Sequence, residues 1–180
     1  MKPLKEFTIP FVGLKEKTHH FEFEIGESFF EHFEYEEFNS VNVMVDLALN
    51  KKSTFLELHF KAKGSVNINC DLTNEPFDQK IKNAFDLVVK FGDEYNDENT
   101  DILIVPHGTY EINIQQYVYE LIVLAVPLKR VHPGVKDGTL KSDILKKLEE
   151  LSPTVKKEQK ADEDIDPRWN TLKKLLTDNK

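Results

Sequence analysis

Phe21, Phe23 and Ile25 alternate with Glu22 and Glu24 within residues 18–25, the period of a strand with one buried face. The alternation returns in Val41, Val43, Val45, Leu47 and Leu49. It returns again over 54–62, where Phe55, Leu56, Leu58 and Phe60 are apolar and His59 points away, and over 65–70 in Val66, Ile68 and Cys70. Asn50-Lys51-Lys52-Ser53 supplies a turn and Gly64 reads as a break, so the last three of these segments predict three strands of an antiparallel meander. Residues 4–12 predict an earlier strand with Pro10 at an edge or bulge. Residues 77–91 predict a further long strand, although QKIKNAFDLVVKF also admits a helix by period alone. Ile102–Val105 reads as a short buried strand, after an acidic loop from Gly92 to Asp101.

Four stretches carry a helical period instead. Phe29, Phe30 and Phe33 predict two turns over Glu27–Phe33. Residues 113–126 are apolar from Val118 to Val126 except for Tyr119 and Glu120, which predicts a central helix covered on most of its circumference. Pro127 ends it, lacking the N–H the ladder needs. Leu140, Ile144, Leu145, Leu148 and Leu151 predict an amphipathic helix stopped by Ser152-Pro153. Residues 152–165 are nearly devoid of apolar side chains and read as a mobile linker. Asp166-Pro167 then caps a last helix with Trp169, Leu172, Leu175 and Leu176 on one side. A helix that short needs a surface to dock on, its own domain or a partner. The expected fold is therefore α+β: a mostly antiparallel sheet covered by the central apolar helix, with C-terminal helices. Its domains are 1–151, a linker 152–165 and a docking helix 166–180.

With 180 residues and 39% hydrophobic content including 13 Phe, the chain supports one substantial core. No apolar run is long enough for a membrane span, and the N-terminus lacks an apolar signal core. The single cysteine, Cys70, fits a reducing cytoplasm. The net charge of −8 argues against nucleic-acid binding driven by total charge.

That charge is uneven. Residues 21–46 hold eight acids (Glu22, Glu24, Glu27, Glu31, Glu34, Glu36, Glu37 and Asp46) and no base. Residues 127–147 hold six bases (Lys129, Arg130, Lys136, Lys141, Lys146 and Lys147) against Asp137 and Asp143. Such a layout suits a protein that touches a basic partner on one side and an acidic one on the other. It suits equally well the packing of the two regions against each other.

Candidate chemistry is sparse. His19 and His20 are adjacent in a strand, so they point to opposite faces and make poor joint ligands. The loop 92–101 has no internal glycine for an EF-hand turn. Glu120 inside an apolar helix is either a carboxyl raised by burial, as a general acid is, or a structural partner of Lys129 or Arg130. His107, His132 and Cys70 complete the reactive inventory. No nucleophile stands beside a base at a recognisable spacing, so no enzyme, metal, cofactor or small-molecule substrate is expected.

Three pieces resemble the YceD family, the large ribosomal RNA subunit accumulation proteins: Gly64-Ser-Val-Asn-Ile-Asn-Cys70, Tyr119-Glu120 through Pro127 with the later His132, and Asp166-Pro-Arg-Trp-Asn-Thr-Leu-Lys-Lys-Leu175. Many members carry Cys-x-x-Cys at the first piece. Here Asp71, Leu72 and Thr73 follow Cys70, so a two-thiolate site is not expected. The resemblance implies a noncatalytic role in large-subunit ribosomal RNA accumulation, with that RNA or ribosomal proteins as partners. The residues expected to touch RNA or a partner are Lys129, Arg130, His132, Arg168, Trp169 and Lys173. The expected acidic partner face is Glu22, Glu24, Glu31, Glu34, Glu36 and Glu37. The alternative is an acidic adaptor or chaperone for a basic ribosomal protein, with no RNA contact.

Overall fold

Alternating burial along the strands decides the architecture. The computed structural model describes residues 3–140 and 143–151. Its strands are β1 (Thr8–Pro10), β2 (Thr18–Ile25), β3 (Ser40–Lys51), β4 (Phe55–Asn69), β5 (Pro76–Gly92), β6 (Asn96–Asn99), β7 (Ile102–Pro106) and β8 (Glu111–Asn113). Its helices are α1 (Glu27–His32), α2 (Gln115–Val123), α3 (Pro133–Lys136) and α4 (Asp143–Leu151). The chain divides into two compact units, residues 1–142 and 143–180.

In the first unit, β2-β3-β4-β5-β7-β6 form a six-stranded sheet, and β1 pairs with β8 in a separate two-stranded one. The long central strands carry the core on one face. Val41, Val43, Val45, Leu47 and Leu49 of β3 face Leu56, Leu58, Phe60, Ala62, Val66 and Ile68 of β4 and Phe77, Ile81, Leu87 and Val89 of β5. Phe7 stacks at 5.3 Å on Phe23 and lies 4.9 Å from Phe29, so the N-terminal segment and α1 lie on this face. Tyr117 of α2 stacks on Phe60 and Phe85 from the same side. Fully burying each large aliphatic side chain of this core contributes about 1.5–3 kcal/mol. The ammonium of Lys51 donates to the carbonyls of Phe11, Val12 and Leu14 at 2.8–3.2 Å. That pins the loop leading out of β1.

Several expectations are met. β2, β3 and α1 fall where the pattern put them, and 76–92 is a strand rather than a helix. Others are corrected. Gly64 does not break the meander: β4 runs through it as one strand of 15 residues, because apolar parity is kept from Leu56 to Ile68. The sheet is mixed, not purely antiparallel, since β7 runs parallel to β5. The acidic loop contains β6, whose residues are all exposed. The more apolar β7 takes the inner place beside β5 and the polar β6 takes the edge, where unpaired strands are best kept charged. The first strand is only β1, preceded by a 3-10 turn over Lys5–Phe7.

The largest correction concerns α2. It has nine residues, shorter than the expected 113–126. It is not covered all round: Val118, Leu121 and Ile122 are buried while Gln116 and Glu120 are exposed. Beyond Val123 the chain tightens through Ala125 N–H to Ile122 O (3.1 Å) and Val126 N–H to Val123 O (3.2 Å) until Pro127.

In the second unit α4 is amphipathic, with Ile144, Leu145, Leu148 and Leu151 at helical spacing and a Lys146–Asp143 pair at 3.0 Å. The expected linker 152–165 and docking helix 166–180, with Arg168, Trp169 and Lys173, lie outside the described residues. So does Lys141.

Candidate functional site

Cys70 stands just past the end of β4, and the turn after it is closed by Asn74 N–H to Cys70 O and Cys70 N–H to Glu75 O. The basic loop after α2 lands on this turn. The Arg130 backbone N–H donates to Asp71 Oδ2 at 2.7 Å and its Nε to Asp71 Oδ1 at 3.2 Å, while the Asp71 N–H donates back to the Arg130 carbonyl at 2.8 Å. The other arm of the guanidinium donates to Glu37 Oε2 at 2.8 Å. Two residues on, the His132 N–H donates to Cys70 Sγ at 3.3 Å, and the His132 Nδ1 accepts from the Gly134 N–H at 2.9 Å as the cap of α3. The His132 ring packs edge-on against Phe77 at 5.5 Å.

One guanidinium thus clasps three segments: the acidic stretch after α1, the end of β4 and the basic loop. Two of the sequence pieces singled out above, around Cys70 and His132, are in direct contact. Charge-assisted bonds of this kind are among the stronger hydrogen bonds. Of the residues expected to touch RNA, Arg130 and His132 are engaged within the protein, whereas Lys129 is exposed. Leu124 and Leu128 flank it, Leu128 wholly exposed and Leu124 76% exposed, so the outer lip of this loop is apolar around Lys129, which makes no ion pair among the described residues.

The Cys70 thiol is buried at 2% exposure. Burial pushes it up, but hydrogen bonds from the His132 N–H and from Thr73 and Leu72 outweigh that and leave it below its ordinary range. It is held as a bond acceptor, enclosed by the clasp.

The expected acidic face does not form one surface. Glu22 and Glu24 are on the exposed face of β2, opposite to the face that α1 covers. Glu31, Glu34 and Glu36 instead border a 420 Å³ depression floored by Phe30, Tyr35 and Phe38. Glu37 is tied to Arg130. Tyr35 lies between these groups, its hydroxyl pushed up to about 12 by burial first and then by the Glu37 charge.

A groove of about 660 Å³ runs between α2, β5 and the β6–β7 edge. Its floor includes Phe85, Leu103, Ile112, Tyr117 and Leu121, and Asp97, Glu111 and Glu120 stand on its rim. Glu120 is exposed and accepts from Gln116 Nε2 at 2.7 Å. It is neither a buried general acid nor a partner of Lys129 or Arg130, so both readings offered for it are corrected. Burial, and then the charges of Tyr95, Asp97 and Glu120, push the Tyr117 hydroxyl up to about 12. Among the described residues, no three His, Cys, Asp or Glu side chains converge as a metal would require. No helix among them is long and apolar enough to cross a membrane.

Sequence reading missed this groove, because its walls come from four separated stretches. It also missed four lysines on the face of β4 and β5 opposite the core. The only local signal for them was a base at every second position, Lys61 and Lys63, then Lys80 and Lys82.

Comparison with known proteins gives one match. The model of a family described as large ribosomal RNA subunit accumulation protein YceD matches residues 58–176, more than half of the chain. The matched span begins within β4 and includes Cys70, α2, Arg130 and His132. No curated protein and no solved structure matches.

Proposed function

Starting from the premise that this chain belongs to the YceD family, whose name ties it to the accumulation of large-subunit ribosomal RNA, we propose that it is a noncatalytic factor in ribosome biogenesis. It acts in the cytoplasm by holding a ribosomal partner, not by transforming one. The family match carries this reading. The site geometry supports its noncatalytic half, because three of the four reactive side chains are engaged in structure: Cys70 under the clasp, His132 Nδ1 on the Gly134 N–H, and Glu120 on Gln116.

Depleting the protein in its host and quantifying both ribosomal RNAs tests the reading. The large-subunit RNA falls relative to the small-subunit RNA, and both the unaltered protein and Glu120→Gln restore it. An unchanged ratio removes the reading. A folded Glu120→Gln protein that fails to restore the ratio brings catalysis back.

A second reading, an adaptor for a basic ribosomal protein, is favoured by the groove, whose apolar floor and acidic rim of Asp97, Glu111 and Glu120 match a basic amphipathic segment. Nuclease treatment separates the two. A complex that survives it is held by protein alone.

A further inference from the structure

Among the described residues of the first unit, one face of the sheet has nothing packed on it. α1, α2 and the N-terminal segment all lie on the other side, and along β3, β4 and β5 the residues between the core positions are mostly exposed. Register decides what that open face displays. Lys63 stands directly opposite Lys82, with Met44 on its other side; one row on, Ser65 stands between Asn42 and Lys80; one row back, Lys61 stands between Asp46 and Ala84. The four lysines form a diagonal band across β4 and β5, about 13 Å from the Lys61 row to the Lys80 row at the usual strand rise.

All four are exposed, and among the described residues none of their ammonium groups makes an ion pair or side-chain hydrogen bond. Like charges directly opposite across strands destabilise a sheet, so the Lys63–Lys82 pair works against folding. Elsewhere on the same face charged side chains have hydrogen-bond partners: His59 lies 2.7 Å from Asp86, and Asn67 donates to Asp78 at 2.7 Å. The band is also bounded. Glu22, Glu24 and Asp46 stand on the β2–β3 side and repel an anion from that edge.

We propose that this open face, centred on Lys61, Lys63, Lys80 and Lys82, binds the phosphate backbone of RNA. Asn42 and Ser65 add neutral hydrogen-bonding groups, and Met44, 37% exposed, adds an apolar surface for a sugar or base. Lysines are point charges without the bidentate geometry that reads base edges, so the contact is insensitive to sequence. A local band suffices although the whole protein is acidic, since phosphate binding depends on the charges within a Debye length, about 8–10 Å. The choice of RNA over other polyanions rests on the ribosomal reading above. The binding assay below tests the face and the depletion experiment tests the role, so either fails without the other.

The assay is fluorescence anisotropy of the full chain with labelled polyuridine RNA over a potassium chloride series. Neutralising four phosphates of a single strand gives a slope of log K against log salt near −3, at about −0.7 per contact. The double variant Lys63→Gln/Lys82→Gln brings it to about −1.4 and lowers affinity about 25-fold at ~0.1 M salt relative to ~1 M. Its urea midpoint stays the same or rises, because a like-charge pair is removed. Lys63→Arg/Lys82→Arg keeps binding. An unchanged slope in the Gln variant overturns the proposal. So does transfer of the effect to Lys129→Gln, which places RNA on the loop after α2. Displacement of the RNA by polyglutamate at equal charge concentration also overturns it, in favour of an acidic polypeptide.

Discussion

Replacing Gly64 by alanine reverses the effect that such a change has elsewhere. In an ordinary strand, Gly→Ala stabilises by about 0.4–1 kcal/mol, because the unfolded chain loses freedom. At Gly64 the new Cβ falls on the Asn42 carbonyl oxygen and 2.6 Å from the Val43 Cα, whereas ordinary carbon contacts lie near 3.5–4 Å. The obstacle is the backbone of β3, paired on both sides by β2 and β4, so it cannot swing away as a side chain would. Overpacking of this sort costs about 1–3 kcal/mol. Net of an entropic gain of about 0.5 kcal/mol, Gly64→Ala destabilises by about 0.5–2.5 kcal/mol. At roughly 3 °C per kcal/mol for a unit of this size, the thermal midpoint falls by about 2–8 °C. Urea unfolding followed by circular dichroism shows a lower midpoint with an unchanged slope. Gly13→Ala, with nothing within 4 Å of the new atom, is the control and is unchanged or stabilised by up to about 1 kcal/mol. A Gly64→Ala protein as stable as the parent, or more stable, refutes the close approach of β3 and β4.

Arg130→Ala costs about 1 kcal/mol of stability: its bonds to Glu37 and Asp71 are charge-assisted, but the partly exposed carboxylates discount them. A double-mutant cycle with Glu37→Gln gives a coupling above about 0.5 kcal/mol, and additivity of the two changes removes the clasp. The Tyr117 hydroxyl, raised from 10.0 to about 12, stabilises the fold as a neutral group. Its contribution is complete below pH 10 and lost as pH rises from about 10 to about 12, because the unfolded chain ionises first. Tyr117→Phe flattens that part of the profile of urea midpoint against pH, and an unaltered profile contradicts the burial of Tyr117. Cys70, enclosed at 2% exposure, reacts with a thiol reagent only as fast as the protein opens, despite its lowered thiol pKa; labelling at the rate of a free thiol disproves the enclosure.

Much of this protein is written in local pattern. The alternation of Phe21–Ile25 and Val41–Leu49 suffices to place β2 and β3, and that of Leu56–Ile68 names the buried side chains of β4 although Gly64 hides that it is one strand, because burying one face of a strand needs only a period of two. The helical spacing of Phe29, Phe30 and Phe33 places α1 for the same kind of reason. The uneven charge is also plain in the sequence, but which use it serves is not. Only the fold shows that Arg130, from the basic loop, closes on Glu37 in the acidic stretch, 93 positions away.

What tertiary structure alone decides is whatever depends on register and order. Period cannot report that β7 inserts beside β5 in parallel, since that depends on competition between Ile102–Pro106 and Asn96–Asn99 for the inner place. Nor can it report how much of α2 is covered, because an apolar residue such as Leu124 looks the same in sequence whether a sheet lies beneath it or solvent. The pairing of Lys63 with Lys82 is the sharpest case. Each pair of lysines signals only an outward face by itself, and a shift of one residue between β4 and β5 would turn one strand's side chains to the opposite face. Local chemistry fixes which side chains point away from the core, and long-range hydrogen bonding fixes which of them stand together.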